Sequence, residues 1–510
     1  MSVRSKGSLV AALVTAPLVA VLIAALLVWT PPASLADGAQ GSSVVATRVS
    51  QREVASYCPA RMTVADEDKV GDDQFKASEG DLSARVTAAA FGSIGSASLT
   101  PLGDGRRTTM TDPDLLDGQK TMAASIDPGA SATAFDSRML KSQPGTGAAV
   151  GMVSWATKGD LRGVQALACP RAVMDADFLL PATGRGSTQR LVAYNPSSKA
   201  TVISLEIQGS HSSGNLSLET GNSMTVAPGG HASYDLSAAA PGQQAIYVRA
   251  RSSQAPVAMS VSVNVMAGLD PRGSDQVTAL AAPGRDLVIP GLRGADQATL
   301  LLQGSKATAA ELSWMDEDGR ESLRRVDLQG SRATAVDLGG VPDGKLALQV
   351  HADQPVRAVL QVTGRGSQDQ SQSDLALIPA GAAAASSALT ISQPAQAAQA
   401  ALTLVNPSTD PIKAELVEFD EKGKKLDERS LTVDPGRAHE LSAHDLGDQV
   451  AVVRLNEDSE HGSSRLIWNA RLSVDAVNQA GLAGLAVMAP DGLMPATTLI
   501  RSGPDSAVLP

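Results

Sequence analysis

A unit of about one hundred residues recurs along this chain, too long for a solenoid repeat and right for tandem domains. Pro-Gly turns mark it at Asp127-Pro128-Gly129, Ala227-Pro228-Gly229 and Asp434-Pro435-Gly436, with Gln329-Gly330 at the equivalent place in the third of four units. A short strand-like run follows each turn: Ala132 to Phe135, His231 to Leu236, Ala333 to Leu338 and Ala438 to Leu441. An Asn-Pro turn closes the strand Leu191–Tyr194 at Asn195-Pro196, and closes Leu402–Val405 at Asn406-Pro407. Proline has no N–H to donate to a ladder, and asparagine favours the turn. The third unit reads Leu300-Leu301-Leu302-Gln303-Gly304 at this point.

What lies between the turns alternates with period two. Thr201, Ile203, Leu205 and Ile207 share one face of a run, as do Ala310, Leu312 and Trp314. Such alternation predicts half-buried strands, and hairpin turns arrive on schedule at Asp318-Gly319 and Lys422-Gly423. A later strand pair repeats as Ala245–Ala250 with Val257–Val265, Leu346–Val350 with Val356–Val362, and Val450–Leu455 with Arg465–Val474. The expected fold class is all-β, with tandem immunoglobulin-like or antiparallel β-sandwich modules behind one N-terminal transmembrane helix. Aromatic residues make up only 3% of the chain, so the cores must be built from aliphatic side chains and alanine.

The helix is expected at Leu9–Trp29, an uncharged run reaching ~31 Å at the α-helical rise, about a bilayer core. Arg4 and Lys6 precede it, and no basic residue follows until Arg48, which orients the N-terminus to the cytoplasm and the bulk outside. Ser34-Leu35-Ala36 carries the small-x-small pattern of a cleavage site. A retained single-pass anchor is favoured because the run exceeds a signal's usual apolar length, and secretion after cleavage near Ala36 is the alternative. The expected organisation is a cytoplasmic segment 1–8, a membrane segment 9–29, a tether 30–51, and modules 52–172, 173–284, 285–372 and 373–510. The last module is expected to hold a flexible loop near 380–400.

Two cysteines, Cys58 and Cys169, sit in matching Cys-Pro contexts. In an exported chain a lone pair most simply forms one disulfide, ahead of a metal site or a redox motif. The formal charge of −11, with +2 in residues 1–36, disfavours nucleic acid and bare anionic lipid as partners. No His-Glu-x-x-His, Gly-x-Ser-x-Gly, phosphate loop or dinucleotide fingerprint is present. His439 and His444, the closest histidines, share no strand face. The acidic run Asp66-Glu67-Asp68 with Asp72-Asp73 fails the calcium-loop register at Val70 and Ala77. Trp155, Trp314 and Trp468 read as core residues, and the matching loops Gly184-Arg185-Gly186-Ser187 and Gly364-Arg365-Gly366-Ser367 as turns with an exposed arginine.

The Cys-Pro context at Cys169, then Phe178-Leu179-Leu180-Pro181 and Leu191 to Pro196 with its alternating continuation, resemble an uncharacterised exported or membrane-anchored family of actinobacteria. That resemblance implies an N-terminal membrane segment, two cysteines and an envelope location, and it brings no catalytic residue. The expected function is a non-catalytic envelope protein, without cofactor or metal, acting as a spacer or interaction surface for an envelope protein or polysaccharide. The alternatives are a carbohydrate-binding envelope protein, which needs clustered exposed aromatics, or an exported hydrolase or transferase using an Asp/Glu pair of raised pKa in a cleft.

Overall fold

A computed structural model describes residues 45–63, 78–103, 105–110, 121–368, 372–391, 399–447, 449–458, 464–495 and 497–502. The expected anchor Leu9–Trp29 and the acidic run Asp66–Asp73 lie outside these. Among the described residues no helix is long and apolar enough to cross a membrane. The chain forms two compact units. In the smaller, Val45–Ser50 pairs antiparallel with Thr497–Ser502. The end of the expected tether is thus a strand, in keeping with the β-branched Val45, Thr47 and Val49.

The larger unit, Gln51–Pro495, holds four modules with one strand plan. In the second module the eight strands are Asp175–Leu180, Ser187–Tyr194, Thr201–Gln208, Ser223–Val226, His231–Asp235, Ile246–Ser252, Ala258–Ala267 and Asp270–Thr278. One sheet runs first, sixth, third, fourth, and the facing sheet runs fifth, second, seventh, eighth, all antiparallel. The first module (Glu53 to Ala168) and the fourth (Ser386 to Met488) repeat this order strand for strand. The third module differs in one respect. Its sixth and seventh strands fuse into Ala347–Arg365, whose first half pairs with Gly284–Pro290 and whose second half pairs with Ser373–Pro379. A strand that passes from one sheet to the other in this way makes a sandwich corner.

The period-two faces point inward: Thr201, Ile203, Leu205 and Ile207 are buried while Val202, Ser204 and Glu206 are exposed. The Asn-Pro turns are hydrogen-bond hubs. The fully buried Asn406 side chain donates to the carbonyls of Asp410 (2.8 Å) and Val433 (2.9 Å) and accepts from the Ser408 N–H and hydroxyl (2.9 and 2.7 Å). Asn195 does the same with Lys199, Val226 and Ser197.

The expected boundary between residues 372 and 373 moves. Ser373–Pro379 is the last strand of the third module, and the fourth begins at Ser386. Residues 375–379 echo the opening strands of the other modules, but Ser373 to Ile378 are buried on both faces, and a continuous apolar run carries no sign of its sheet position.

The four modules close on themselves. Their eighth strands, Gly163–Ala168, Asp270–Thr278, Ser373–Pro379 and Ala486–Met488, pack together at the centre. Around this hub the second and third modules share a core through Leu301, Val359, Leu375 and Leu377. The third and fourth meet at Val288, Met315 and Ala347 against Val405, Ala438 and Ile467. The fourth returns to the first where Val417, Phe419, Val452 and Leu493 cover Ala89, Phe91 and Ala149.

Candidate functional site

The hub is held by buried acids. Asp374, in the third module, is fully buried and accepts backbone N–H groups from every module. Its Oδ2 takes those of Val164 in the first module (2.8 Å) and Leu485 in the fourth (2.9 Å). Its Oδ1 takes its own neighbour Leu375 (3.0 Å) and, at 3.4 Å, Ser274 in the second. The carboxylate approaches so closely that a Cβ on Gly163 would lie 2.5 Å from Oδ2, and Gly163 has a φ of 135°. Burial pushes Asp374 up to about 7 against the downward pull of these N–H groups. Asp275 accepts from Leu377 and Gln276, and burial, with a smaller push from the charge of Asp374, raises it well above the ordinary carboxylate range. The neighbouring cavity, lined by residues of all four modules, is about 50 Å³ and admits no more than a few waters.

A raised carboxylate pair therefore exists, but it is walled in. Asp491 and Asp136 are also raised by burial, to about 6 for Asp491, whose Oδ2 accepts from the Val150 N–H. None of these four acids lines the large concavity.

That concavity is a cleft of about 840 Å³ at the seam between the first and fourth modules. Its floor is the outer face of a fourth-module sheet. There Arg454 stands between Val417 and Ala388 in the adjoining strands, and Asn456 stands between Glu415 and Ser386. One wall is the first-module loop Gln143–Thr146. The opposite wall is the hairpin tip Lys422-Gly423-Lys424, shaped by Asp420, whose Oδ1 accepts both lysine N–H groups at 2.9 and 2.8 Å. Gly423, at a φ of 87°, lies so near the Thr121 carbonyl that a Cβ would sit 2.3 Å from it, so only glycine seats this hairpin on the first module. Of the two glutamates lining the cleft, Glu428 pairs with Lys425, and Glu457 accepts the backbone N–H groups of Arg465 and Leu466.

The residues singled out in the sequence separate into structural parts. Cys58 and Cys169 are joined in a buried disulfide with Cα atoms 4.5 Å apart. Trp314 and Trp468 are buried, the latter donating to the Ser387 hydroxyl at 2.8 Å, and Trp155 packs on the fourth module's core. His439 faces Glu317 across a module boundary, while His444 is exposed and Asp445 binds Ser442 instead of a ring. Among the described residues no group of His, Cys, Asp or Glu is arranged to hold a metal. The two Gly-Arg-Gly-Ser loops hold different places, one joining the first two strands of module two, the other ending the fused strand of module three. Sequence reasoning missed both Arg454 and Asp374. The alternation Arg454-x-Asn456 following Val452 and Val453 and flanking Leu455 was the available signal for the first.

The four-module sandwich body with its single disulfide belongs to a class of all-β proteins built from tandem repeats. More narrowly, residues 123–444 match the model of a family of unknown function, DUF5719, and the chain belongs to that family. No curated protein matches the chain.

Proposed function

We propose that this protein is a non-catalytic extracytoplasmic component of the cell envelope, tethered through Leu9–Trp29, that binds an envelope partner with a rigid four-module body. The observation carrying this reading is the seam cleft. It offers cationic, hydroxyl and amide groups, whereas the hub pair Asp374 and Asp275 is bound by backbone N–H groups beside a cavity too small for a polymer. Closure of the modules around a common hub favours a binding body over a spacer, because a ring has little reach. The disulfide suits an oxidising compartment. Burial of Trp314 and Trp468 takes those two rings out of any aromatic sugar platform.

The test is fractionation of native cells with thiol trapping, followed by mild crosslinking on intact cells. The expected result is membrane-bound protein with blocked cysteines, crosslinked to an envelope component. Soluble intracellular protein with reduced Cys58 and Cys169 would overturn the reading.

A further inference from the structure

The seam cleft holds a cation that makes no ion pair among the described residues. Arg454 lies with its guanidinium 5.9 Å from the Phe91 ring centroid and 5.5 Å from that of Phe419. Its Nε is buried and meets no acceptor among the described residues. Burial draws its pKa below the ordinary arginine range, and the more distant charge of Glu415 does not make good that loss. Lys422 and Lys424, on the hairpin tip above it, are exposed and have no carboxylate within ion-pair distance among the described residues. Across the cleft the Thr146 hydroxyl is buried without a partner. Two modules thus turn polar groups toward one space, the first through the exposed Gln143 of the loop wall.

We propose that this cleft binds an anionic oligosaccharide, with a sugar-borne carboxylate or phosphate seated on Arg454. This deepens the reading of an envelope-binding body by naming its ligand. A guanidinium offers paired N–H donors in the spacing of an anionic oxygen pair. Its other face is covered by Phe91 and Phe419, which makes the ring side dry and the cleft side the natural anion seat. Lys422 and Lys424 flank that seat from above. Gln143, Ser386 and Asn456 line the cleft with the neutral donors and acceptors that neighbouring sugar hydroxyls need, with Asn456 already oriented by the Ser386 hydroxyl at 2.7 Å. A strand of nucleic acid would need exposed rings for stacking, and here the arginine covers both. The cleft volume falls within the range of small-ligand sites, roughly 300–1,000 Å³. On a chain of net charge −11, a cationic cleft is also where an anion is steered while the remaining surface repels it.

The experiment is calorimetric titration of the full-length protein in detergent. The probes are an oligogalacturonate, a phosphorylated oligomannose, the neutral oligomer matching each in length, and inorganic phosphate. At least one charged oligomer is expected to bind ten-fold or more tighter than its neutral counterpart, weakening as salt rises, and the pair of charged probes tells carboxylate from phosphate. Arg454→Gln should weaken binding at least ten-fold. Because Arg454 packs on two rings, the exposed pair Lys422→Ser with Lys424→Ser serves as a second variant that leaves the core intact, with an expected three- to ten-fold loss. Equal binding of charged and neutral oligomers, no binding of either, inorganic phosphate matching the oligomers, or variants that bind like wild type would each overturn the proposal. If that happens while the chain still proves exported and crosslinked, the ligand is wrong and the envelope-binding reading stands.

Discussion

Asp374→Asn changes one atom at the hub and should loosen all four modules at once. The carboxylate accepts four backbone N–H groups, two on each oxygen. An amide has one oxygen, so whichever way it turns, its NH₂ faces two N–H donors. Each buried donor left without an acceptor costs about 1–3 kcal/mol, so the substitution should cost about 2–6 kcal/mol. The protonated acid differs from the amide here, because a hydroxyl oxygen can still accept. That difference gives the experiment a pH signature. The folded value of about 7 lies above the unfolded 3.8, so between them the native state holds more protons and wild-type stability falls as pH rises. Three units at ~1.36 kcal/mol each set an upper bound of about 4 kcal/mol on this effect. The advantage of wild type over the variant should thus be largest below about pH 4, shrink as pH rises toward 7 and then level off. Urea unfolding followed by tryptophan fluorescence at pH 5 and pH 8 measures it, with limited proteolysis reporting whether the modules still melt together. Equal midpoints at both pH values would refute the role of the hub, and a gap that widens with pH would refute the burial argument.

Three further outcomes are expected. Replacing Cys58 and Cys169 with alanine opens a loop of 111 residues and should cost about 4–5 kcal/mol, seen as early melting of the first module in calorimetry. Asn406→Ala removes the side chain that serves two carbonyls and Ser408, so a loss of about 2–4 kcal/mol is expected in urea unfolding, and Asn195→Ala should behave alike because its bonds are the same. Arg471→Met strands Asp296, with which it now makes a paired contact at 2.5 and 2.9 Å between the fourth and third modules, at a cost of about 3–5 kcal/mol. Adding Asp296→Leu should recover most of it.

The repeat and its strands were legible because their signals are local. Thr201 to Ile207 alternate, Asn195-Pro196 and Asn406-Pro407 stop a ladder, and lone cysteines in matching contexts pair. The boundary at Asp374 was not legible, since Leu375–Pro379 is apolar throughout and the alternation that tells an inner face from an outer one is missing. The closure of the modules was hidden for a different reason. Gly163, Ser274, Asp374 and Leu485 are one hundred or more residues apart pairwise in sequence, and their meeting depends on backbone N–H groups, which every residue type other than proline carries. Likewise Arg454 looked like an ordinary strand residue. Only the return of the fourth module to the first reveals that its sheet face is roofed.

That return is also why the cleft sits where it does. The other neighbouring modules in the ring are joined by short connections that hold them together whatever their side chains. The seam between first and fourth has no such link within the body, so it must be closed by its own contacts. Phe91 against Phe419, the Asp491 bond to the Val150 N–H, and the Gly423 hairpin on Thr121 supply them. Closure at these points leaves a gap between hairpin and loop, floored by a sheet face turned away from its own module's core. The part of that face that meets the first module is apolar, through Val417, Phe419 and Val452, and the part beneath the gap carries the polar Arg454 and Asn456. A ligand seated on Arg454 and touching the exposed Gln143 of the opposite wall would bridge the two modules that the chain itself does not join, so binding should raise the melting temperature of the closed body. Variants that open the seam, such as Gly423→Val, should lose that gain while keeping the disulfide and the other three junctions.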